Sequence, residues 1–231
     1  MIRHQDDKGR LHSRKKVEAA VVRLRDRFPL ERGVMALSSD ALADYRRLID
    51  HWCDTASPLA TDVLSPESLH VLLAIDAVVD QSGQLGCYPF SALPTGMQVQ
   101  LGNRSVHAMC AIDALAVSRV SGQATQIVAS CALCDTQLAL GMHANGSLHE
   151  AMMHETAVLW TDETQGSCGT NACCNTLCPS IRFVCRSCAE IESKDHEGDI
   201  FTVPQAAVVA NAFFGFQARL RSLEIGLGEL R

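Results

Sequence analysis

Residues 107–120, HAMCAIDALAVSRV, form the stretch from which the fold of this chain is best predicted. Apolar residues dominate it, and its alanines and leucine favour a core helix that begins at about His107. Cys110 and Asp113 lie three residues apart and would share one helical face. Taken alone, the pair is more typical of an ordinary core helix than of a reactive site. Cysteine is among the most buried residue types, and an aspartate one turn away can reach solvent.

Other helices and strands flank this stretch. Ser65 can cap the helix that starts at Pro66, and turns at Ser82-Gly83 and Gly102-Asn103 predict two β-hairpins. The predicted helices before the hairpins cover residues 17–28, 40–52 and 66–79. The predicted strands after the core helix are QATQIVAS, TQLALGM, ETAVLW and DIFTV, followed by an amphipathic helix that Pro204 opens, over about residues 205–223.

This mixture predicts an α+β fold in which antiparallel sheet packs with helices. We expect a solvated, mobile tail at residues 1–16, a small helical domain at 17–80 and a mixed domain at 81–231. The last contains a cysteine-rich segment at 166–188.

The composition narrows the classes of function. The 231 residues are 47% hydrophobic, but Asp76 and Asp113 interrupt apolar runs that would otherwise suit a membrane span. The N-terminus lacks the apolar stretch of a secretory signal. A net charge of −6 argues against a broad surface for DNA or RNA. We therefore expect a cytoplasmic protein with neither a membrane nor a nucleic acid as its partner.

Eleven cysteines point to thiol or metal chemistry, because a cytoplasmic protein keeps them reduced. The adjacent Cys173 and Cys174, with a third sulfur elsewhere, suit a thiophilic metal ion. Two Cys-x-x-Cys pairs also suit a closed structural zinc site, although the roughly 50 residues between the pairs exceed the usual spacing. Those pairs are Cys131 with Cys134 and Cys185 with Cys188. The cysteine spacing alone is compatible both with a structural zinc site and with a catalytic role of the thiols.

Several stretches together resemble the organomercurial (alkylmercury) lyase family. They are VHAMCAIDAL, DQSGQLGCYPFSALPTGMQVQLGNRS, IVASC, NACC and HEGDIFTVPQAAVVANAFFGFQARL. The most specific element is Cys-x-x-Asp followed some sixty residues later by a Cys-Cys pair. The resemblance covers roughly residues 62–222. It implies a winged-helix-like domain at 17–80 and a lyase-like catalytic domain at 81–231.

The resemblance implies protonolysis of a carbon–mercury bond, which gives a hydrocarbon and bound Hg(II) without an organic cofactor. Cys110 and Cys173 would bind mercury, and Asp113 would carry the proton. Cys131 matches a structural cysteine of the family. Cys174 matches a neighbour that the family's activity does not require, and it is a candidate for a further mercury ligand. The implied partners are the organomercurial substrate, small thiols and a mercuric reductase that accepts the product, as in mercury detoxification. Apolar residues near the site, with Phe213, Phe214 and Phe216 as candidates, would accept the organic group.

Proton transfer explains why a carboxylate would lie beside a thiol. A thiol of pKa about 8.5 gives its proton to an ordinary aspartate of pKa about 3.9 only at a cost of roughly 6 kcal/mol. Burial among Met109, Ile112 and Leu115 would raise the pKa of Asp113 and reduce that cost. We therefore expect Asp113 to be buried.

Five cysteines are not required by the lyase pattern: Cys134, Cys168, Cys178, Cys185 and Cys188. They leave room for a zinc knuckle or for thiols that relay mercury. The alternative is a non-catalytic metal sensor or a zinc or mercury storage protein, in which Cys173, Cys174 and Cys178 bind metal. The Cys110–Asp113 pair disfavours this alternative, because storage needs no acid.

Overall fold

The chain forms both helices and antiparallel strands, with helices prevailing at its N-terminal end and most strands following them. The computed structural model describes residues 2–149, 155–161, 172–195 and 199–222. The described helices are α1 (Ile2–Arg27), α2 (Leu30–Met35), α3 (Ser39–Thr55), α4 (Pro66–Ala74), α5 (Ala111–Ser121), α6 (Cys173–Thr176), α7 (Arg186–Asp195) and α8 (Val203–Ser222). The described strands are β1 (Leu59–Ala60), β2 (Val78–Gln81), β3 (Gln84–Cys87), β4 (Phe90–Ser91), β5 (Met97–Leu101), β6 (Arg104–Ala108), β7 (Thr125–Ser130), β8 (Gln137–Met142), β9 (Thr156–Trp160), β10 (Ile181–Cys185) and β11 (Asp199–Thr202). The predicted α+β class is confirmed.

Helix α5 is the core helix predicted from residues 107–120. Every residue of it except Arg119 is buried. It starts at Ala111 rather than at His107, because β6 continues to Ala108. It ends at Gly122, whose φ of 69° is a left-handed conformation that glycine adopts without strain.

The larger sheet supplies the surface on which α5 packs. Its strand order is β1-β3-β4-β6-β5-β7-β8, β2 also pairs with β3, and all the pairs are antiparallel. The predicted hairpins are confirmed as β2–β3 and β5–β6. Buried and exposed residues alternate along β7, so that one face of this strand turns to the core and the other to solvent.

The smaller sheet has the order β10-β9-β11, again antiparallel. All five residues of its central strand β9 are buried, because helices α7 and α8 pack against it. Helix α8 also packs on α5, α1 and α3. Its buried Gln217 donates through Nε2 to Tyr45 Oη and to the carbonyl of Tyr88, both at 2.7 Å, and so joins α8 to α3 and to the turn after β3.

The N-terminal region differs from the prediction in two respects. Residues 2–16, expected as a tail, are helical and continuous with the predicted first helix. Two contacts hold this part of α1: Lys16 Nζ donates to Ile200 O at 2.6 Å, and Gln205 Nε2 donates to Ser13 Oγ at 2.7 Å. Helix α4 ends at Ala74 instead of residue 79, because Asp76 takes a φ of 54° and the chain then enters β2.

The predicted domain boundary between residues 80 and 81 falls inside β2. The hairpin that follows the N-terminal helices therefore belongs to the larger sheet, which continues across that boundary. The winged-helix-like character of residues 17–80 stays a prediction. Among the described helices, none combines the length and the apolar character that crossing a membrane requires.

Arg221 fixes the C-terminal end of α5. Its Nη1 donates to the carbonyls of Val120 and Ser121 at 2.8 and 2.9 Å, and its Nε donates to Asp50 Oδ1 at 2.7 Å. These carbonyls lack partners within their own helix, so the guanidinium completes the helix end and ties it to α3 and α8.

Replacing Arg221 with lysine should lower the free energy of unfolding by about 1–3 kcal/mol, because a single ammonium cannot reproduce the fork of hydrogen bonds. Chemical denaturation measures this change. Arg219 of the same helix is exposed and pairs with Glu31, so Arg219→Lys is the matched control and should cost no more than about 0.5 kcal/mol. Equal effects of the two substitutions would contradict the assigned role of Arg221.

Candidate active site

Cys110 and Asp113 meet at the N-terminus of α5. Cys110 is the N-cap residue, with extended backbone, and its Sγ accepts a hydrogen bond from the backbone N–H of Asp113 at 3.5 Å. Cysteine here occupies the position that serine or threonine commonly takes at a helix start. The prediction that both residues lie within the helix is therefore corrected: one caps it and the other is three residues further on. The expected proximity of the two side chains is confirmed.

Cys178 is the third member of this group. It lies in a 3₁₀ turn, Cys178–Ser180, immediately before β10. Its Sγ donates to Asp113 Oδ2 at 3.6 Å, and one ligand atom from each of Cys110, Asp113 and Cys178 lies within 4.8 Å of the others. All three residues are buried. Two thiols and one carboxyl group therefore face one another away from solvent.

Cys173, the second thiol predicted from sequence, lies beside this group. It is buried at the start of α6, and its Sγ is 3.9 Å from Cys178 Sγ. The structure thus brings Cys173 to the site but places Cys178 against Asp113. Cys174 is only partly buried. The sequence placed Cys178 only in the alternative metal-binding set and favoured Cys173 as the second thiol, because no spacing rule relates Cys178 to Asp113; the structure shows that Cys178 contacts Asp113.

Asp76 and Tyr88 position the segment that carries these cysteines. Asp76 Oδ2 accepts from the backbone N–H of Cys173 at 2.6 Å, and Tyr88 Oη accepts from that of Cys174 at 2.8 Å. Tyr88 in turn donates to Asp76 Oδ1 at 3.2 Å. The start of α6 is thereby fixed to the turns on either side of β2–β3.

Burial and the hydrogen bonds between these groups set the protonation of Cys110, Asp113 and Cys178. Burial raises the pKa of Asp113 from 3.8 to about 7, although hydrogen bonds from Cys110 and Cys178 oppose the rise. Burial also raises the pKa of the Cys110 thiol. Cys178 has its pKa raised well above the usual value, first by its hydrogen bonds with Cys110 and Cys173 and then by burial. Both thiols therefore hold their protons near neutral pH, where Asp113 can either accept or release one.

Apolar side chains close a small pocket over these groups. Leu24 of α1, Phe28 just after it, and Phe213 and Phe214 of α8 line it together with the cysteines and Asp113. Its free volume is about 10 Å³, which is room for about one water molecule. Phe213 and Phe214 are thus confirmed as lining residues, whereas Phe216 is buried elsewhere in the core.

A second group of cysteines lies apart from the pocket, and we call it the four-thiol cluster. Its members are Cys131, Cys134, Cys185 and Cys188, whose Sγ atoms all lie within 4.8 Å of one another. The two Cys-x-x-Cys pairs predicted from sequence therefore do meet. A hydrogen bond with Ser187 is the main cause that lowers the pKa of Cys185 to about 6. Cys168, from the predicted cysteine-rich segment, lies outside the described residues.

Comparisons with known proteins identify the family and a structure of similar fold. The family model for alkylmercury lyase matches residues 90–215, which is more than half of the chain and includes both groups of cysteines. Among solved structures, the mercury-bound form of MerB2 has a similar fold, with a TM-score of 0.62 and 20% identity over 81% of this chain and 96% of that one. No curated protein matches the sequence.

Replacing Asp113 with asparagine should remove a pH-dependent loss of stability. The folded-state pKa of about 7 lies above the reference value of 3.8, so the contribution of the carboxyl group is complete below that value and is lost as pH rises through about 7. Between about pH 4 and pH 8, the free energy of unfolding of the wild type should fall relative to the variant by on the order of 4 kcal/mol, as urea denaturation measures.

Ser118→Ala is the control on the same helix, since it removes no titrating group and its effect should not vary with pH. Parallel stability curves for the wild type and Asp113→Asn across this range would contradict the raised pKa.

Proposed function

The chain belongs to the alkylmercury lyase family, and we propose that it cleaves the carbon–mercury bond of organomercurials by protonolysis, releasing a hydrocarbon and retaining Hg(II) on two thiolates. One observation carries this proposal: two buried thiols and one buried carboxyl group lie within 4.8 Å of one another. Sulfur is the ligand that a soft metal selects, and the carboxyl group is a proton carrier.

Binding of the substrate is the first step. The organomercurial arrives as R–Hg–X, where R is the organic group and X a small thiolate. Cys110 binds mercury as its thiolate, and its proton leaves with X as HX. The N-terminus of α5, which Cys110 caps, favours the thiolate while mercury replaces the proton.

Cleavage requires the second thiol and the acid. Cys178 passes its proton to Asp113 and binds mercury as a thiolate, and Asp113 then gives that proton to the carbon atom. The electron pair of the carbon–mercury bond becomes the new carbon–hydrogen bond. The balance is R–Hg–X plus two thiols, giving R–H, HX and Hg(II) bound to two thiolates. Burial raises the pKa of Asp113 from 3.8 to about 7, which makes it a better proton acceptor than an ordinary aspartate. The pKa of the Cys178 thiol is raised as well, so the proton leaves Cys178 as mercury binds and lowers the pKa of that thiol.

Both cysteines near the acid are candidates for the second thiolate. Cys178 is favoured because it contacts Asp113 directly, at 3.6 Å. Cys173, the choice from sequence, is 3.9 Å from Cys178 Sγ and would serve as a neighbouring ligand that receives mercury later. Cys174 is partly exposed and is proposed as a relay ligand at most.

Release of the product involves other thiols. A Hg(II) ion held by two buried thiolates leaves only when stronger or more numerous thiols displace them, so we propose small cytoplasmic thiols and a mercuric reductase as acceptors in a detoxification sequence. A non-catalytic sensor or storage protein would need the sulfurs alone, whereas here a buried acid contacts them.

Hydrocarbon release from single variants tests the proposal. Cys110→Ser, Cys178→Ser and Asp113→Asn should each lower turnover of phenylmercury at least about 100-fold, because each removes a mercury ligand or the proton carrier. The assay is anaerobic incubation with excess small thiol, with benzene measured by gas chromatography. Cys173→Ser is the matched control and should keep most of the activity.

Loss of activity in Cys173→Ser with retention in Cys178→Ser would instead make Cys173 the second thiolate. Protein that binds mercury tightly but releases no benzene would overturn the lyase proposal in favour of storage.

A further inference from the structure

We propose that the four-thiol cluster binds one structural Zn²⁺ ion as four thiolates, at a site distinct from the proposed mercury site and independent of the lyase reaction. The cluster joins the turn after β7 to the junction between β10 and α7, so its two halves come from segments about fifty residues apart. It contains sulfur only.

The distances suit one tetrahedral ion. A Zn–S bond of about 2.3 Å gives about 3.8 Å between sulfurs at the corners of a tetrahedron. The cluster has its four Sγ atoms within 4.8 Å of one another, with Cys134 Sγ and Cys185 Sγ at 3.6 Å. A disulfide would need about 2.05 Å and would use only two of the four sulfurs. An ion at the centre uses all of them.

The local backbone shapes the first pair into a closed turn. The N–H of Asp135 donates to Cys131 O at 3.0 Å, and the N–H of Cys131 donates to Thr136 O at 2.8 Å. Asp135 takes a φ of 57° to complete this turn. The second pair spans the end of β10 and the first turn of α7, whose N-terminus favours negative charge.

Hydrogen bonds to sulfur surround the cluster. The N–H of Cys185 donates to Cys131 Sγ at 3.2 Å. Hydroxyl groups also lie within reach: Thr136 Oγ1 is 3.1 Å from Cys134 Sγ, and Ser187 Oγ is 3.2 Å from Cys185 Sγ. When the sulfurs are thiolates, these hydroxyls donate to them. Such donors around a metal site disperse the ligand charge and fix the ligand positions.

The chemistry of the cluster favours a structural ion over a second catalytic centre. Four thiolates fill the tetrahedral shell of zinc and leave no position for a substrate. Among the residues that the structure describes, no carboxylate belongs to the cluster, and the cluster therefore offers no acid there to protonate carbon. The ion would tie the start of the β7–β8 connection to β10, next to the hydrogen bond from Ala132 N to Phe183 O at 3.0 Å. Cys178 lies just before that same strand, so the ion would also hold the strand that carries the proposed thiol.

Zinc content of the full-length protein tests this inference. Protein purified anaerobically without added metal should contain about one zinc per chain by elemental analysis. The double variant Cys134→Ser/Cys188→Ser should contain close to none; these are the two members that are not fully buried. Cys134→His should retain zinc, because imidazole is also a zinc ligand. Cys110→Ser should retain it as well, since that residue belongs to the other site.

Three results would overturn the inference: wild-type protein without zinc, zinc unchanged in the double variant, or zinc lost in Cys110→Ser. If the double variant is insoluble, a chelator provides the second measurement. Stripping zinc from the wild type should lower its melting temperature, and an unchanged value would show that the ion is not structural. Benzene release measured on the same wild-type preparation separates the two proposals, because zinc without turnover rejects only the lyase function.

Discussion

The contact of the Asp113 carboxyl group with two thiols at the buried end of α5 is the constraint on which the rest of the structure depends. A carboxyl group away from water is costly unless it stays protonated or hydrogen-bonded, and here the Cys178 thiol donates to it. Holding this arrangement requires a rigid helix. The larger sheet packs on α5, α8 packs beside it, and Arg221 completes its far end.

Two groups of cysteines in one chain show how the neighbours of a thiol decide its chemistry. In the pocket, two sulfurs share a carboxyl group; burial keeps the proton on Cys110, and hydrogen bonds with the neighbouring thiols, together with burial, keep it on Cys178. In the four-thiol cluster, Cys134 is exposed and Cys188 is half-buried, and hydroxyl and amide donors surround the sulfurs. Hydrogen bonds there lower the pKa of Cys134 and Cys185 and raise that of Cys188. The first arrangement suits proton transfer, and the second suits a permanent metal ligand. Strand β10 connects them, with Cys178 just before it and Cys185 at its end.

Local signals in the sequence predicted most of the fold. Turns at Ser82-Gly83 and Gly102-Asn103 located both hairpins, and Pro204 located the start of α8. Helix α4 was predicted five residues too long, because the apolar residues that follow it suit a helix and a buried strand equally. The left-handed backbone at Asp76 ends the helical path, and the sequence pattern does not reveal it. Cys110 and Asp113 could be paired from their spacing. Cys178 could not, because its approach to Asp113 depends on how a short turn after α6 meets the start of another helix.

The position of the two thiols in an apolar pocket links release of Hg(II) to recovery of the protonated cysteines in the proposed reaction. Leu24 and Phe28 line this small apolar pocket. Each proposed cycle uses two protons, one for the departing ligand and one for the hydrocarbon. In the proposed reaction, the incoming thiols that extract Hg(II) would also return one proton to each of the two cysteines. Removal of Hg(II) and reprotonation of the two cysteines would then take place in one thiol exchange.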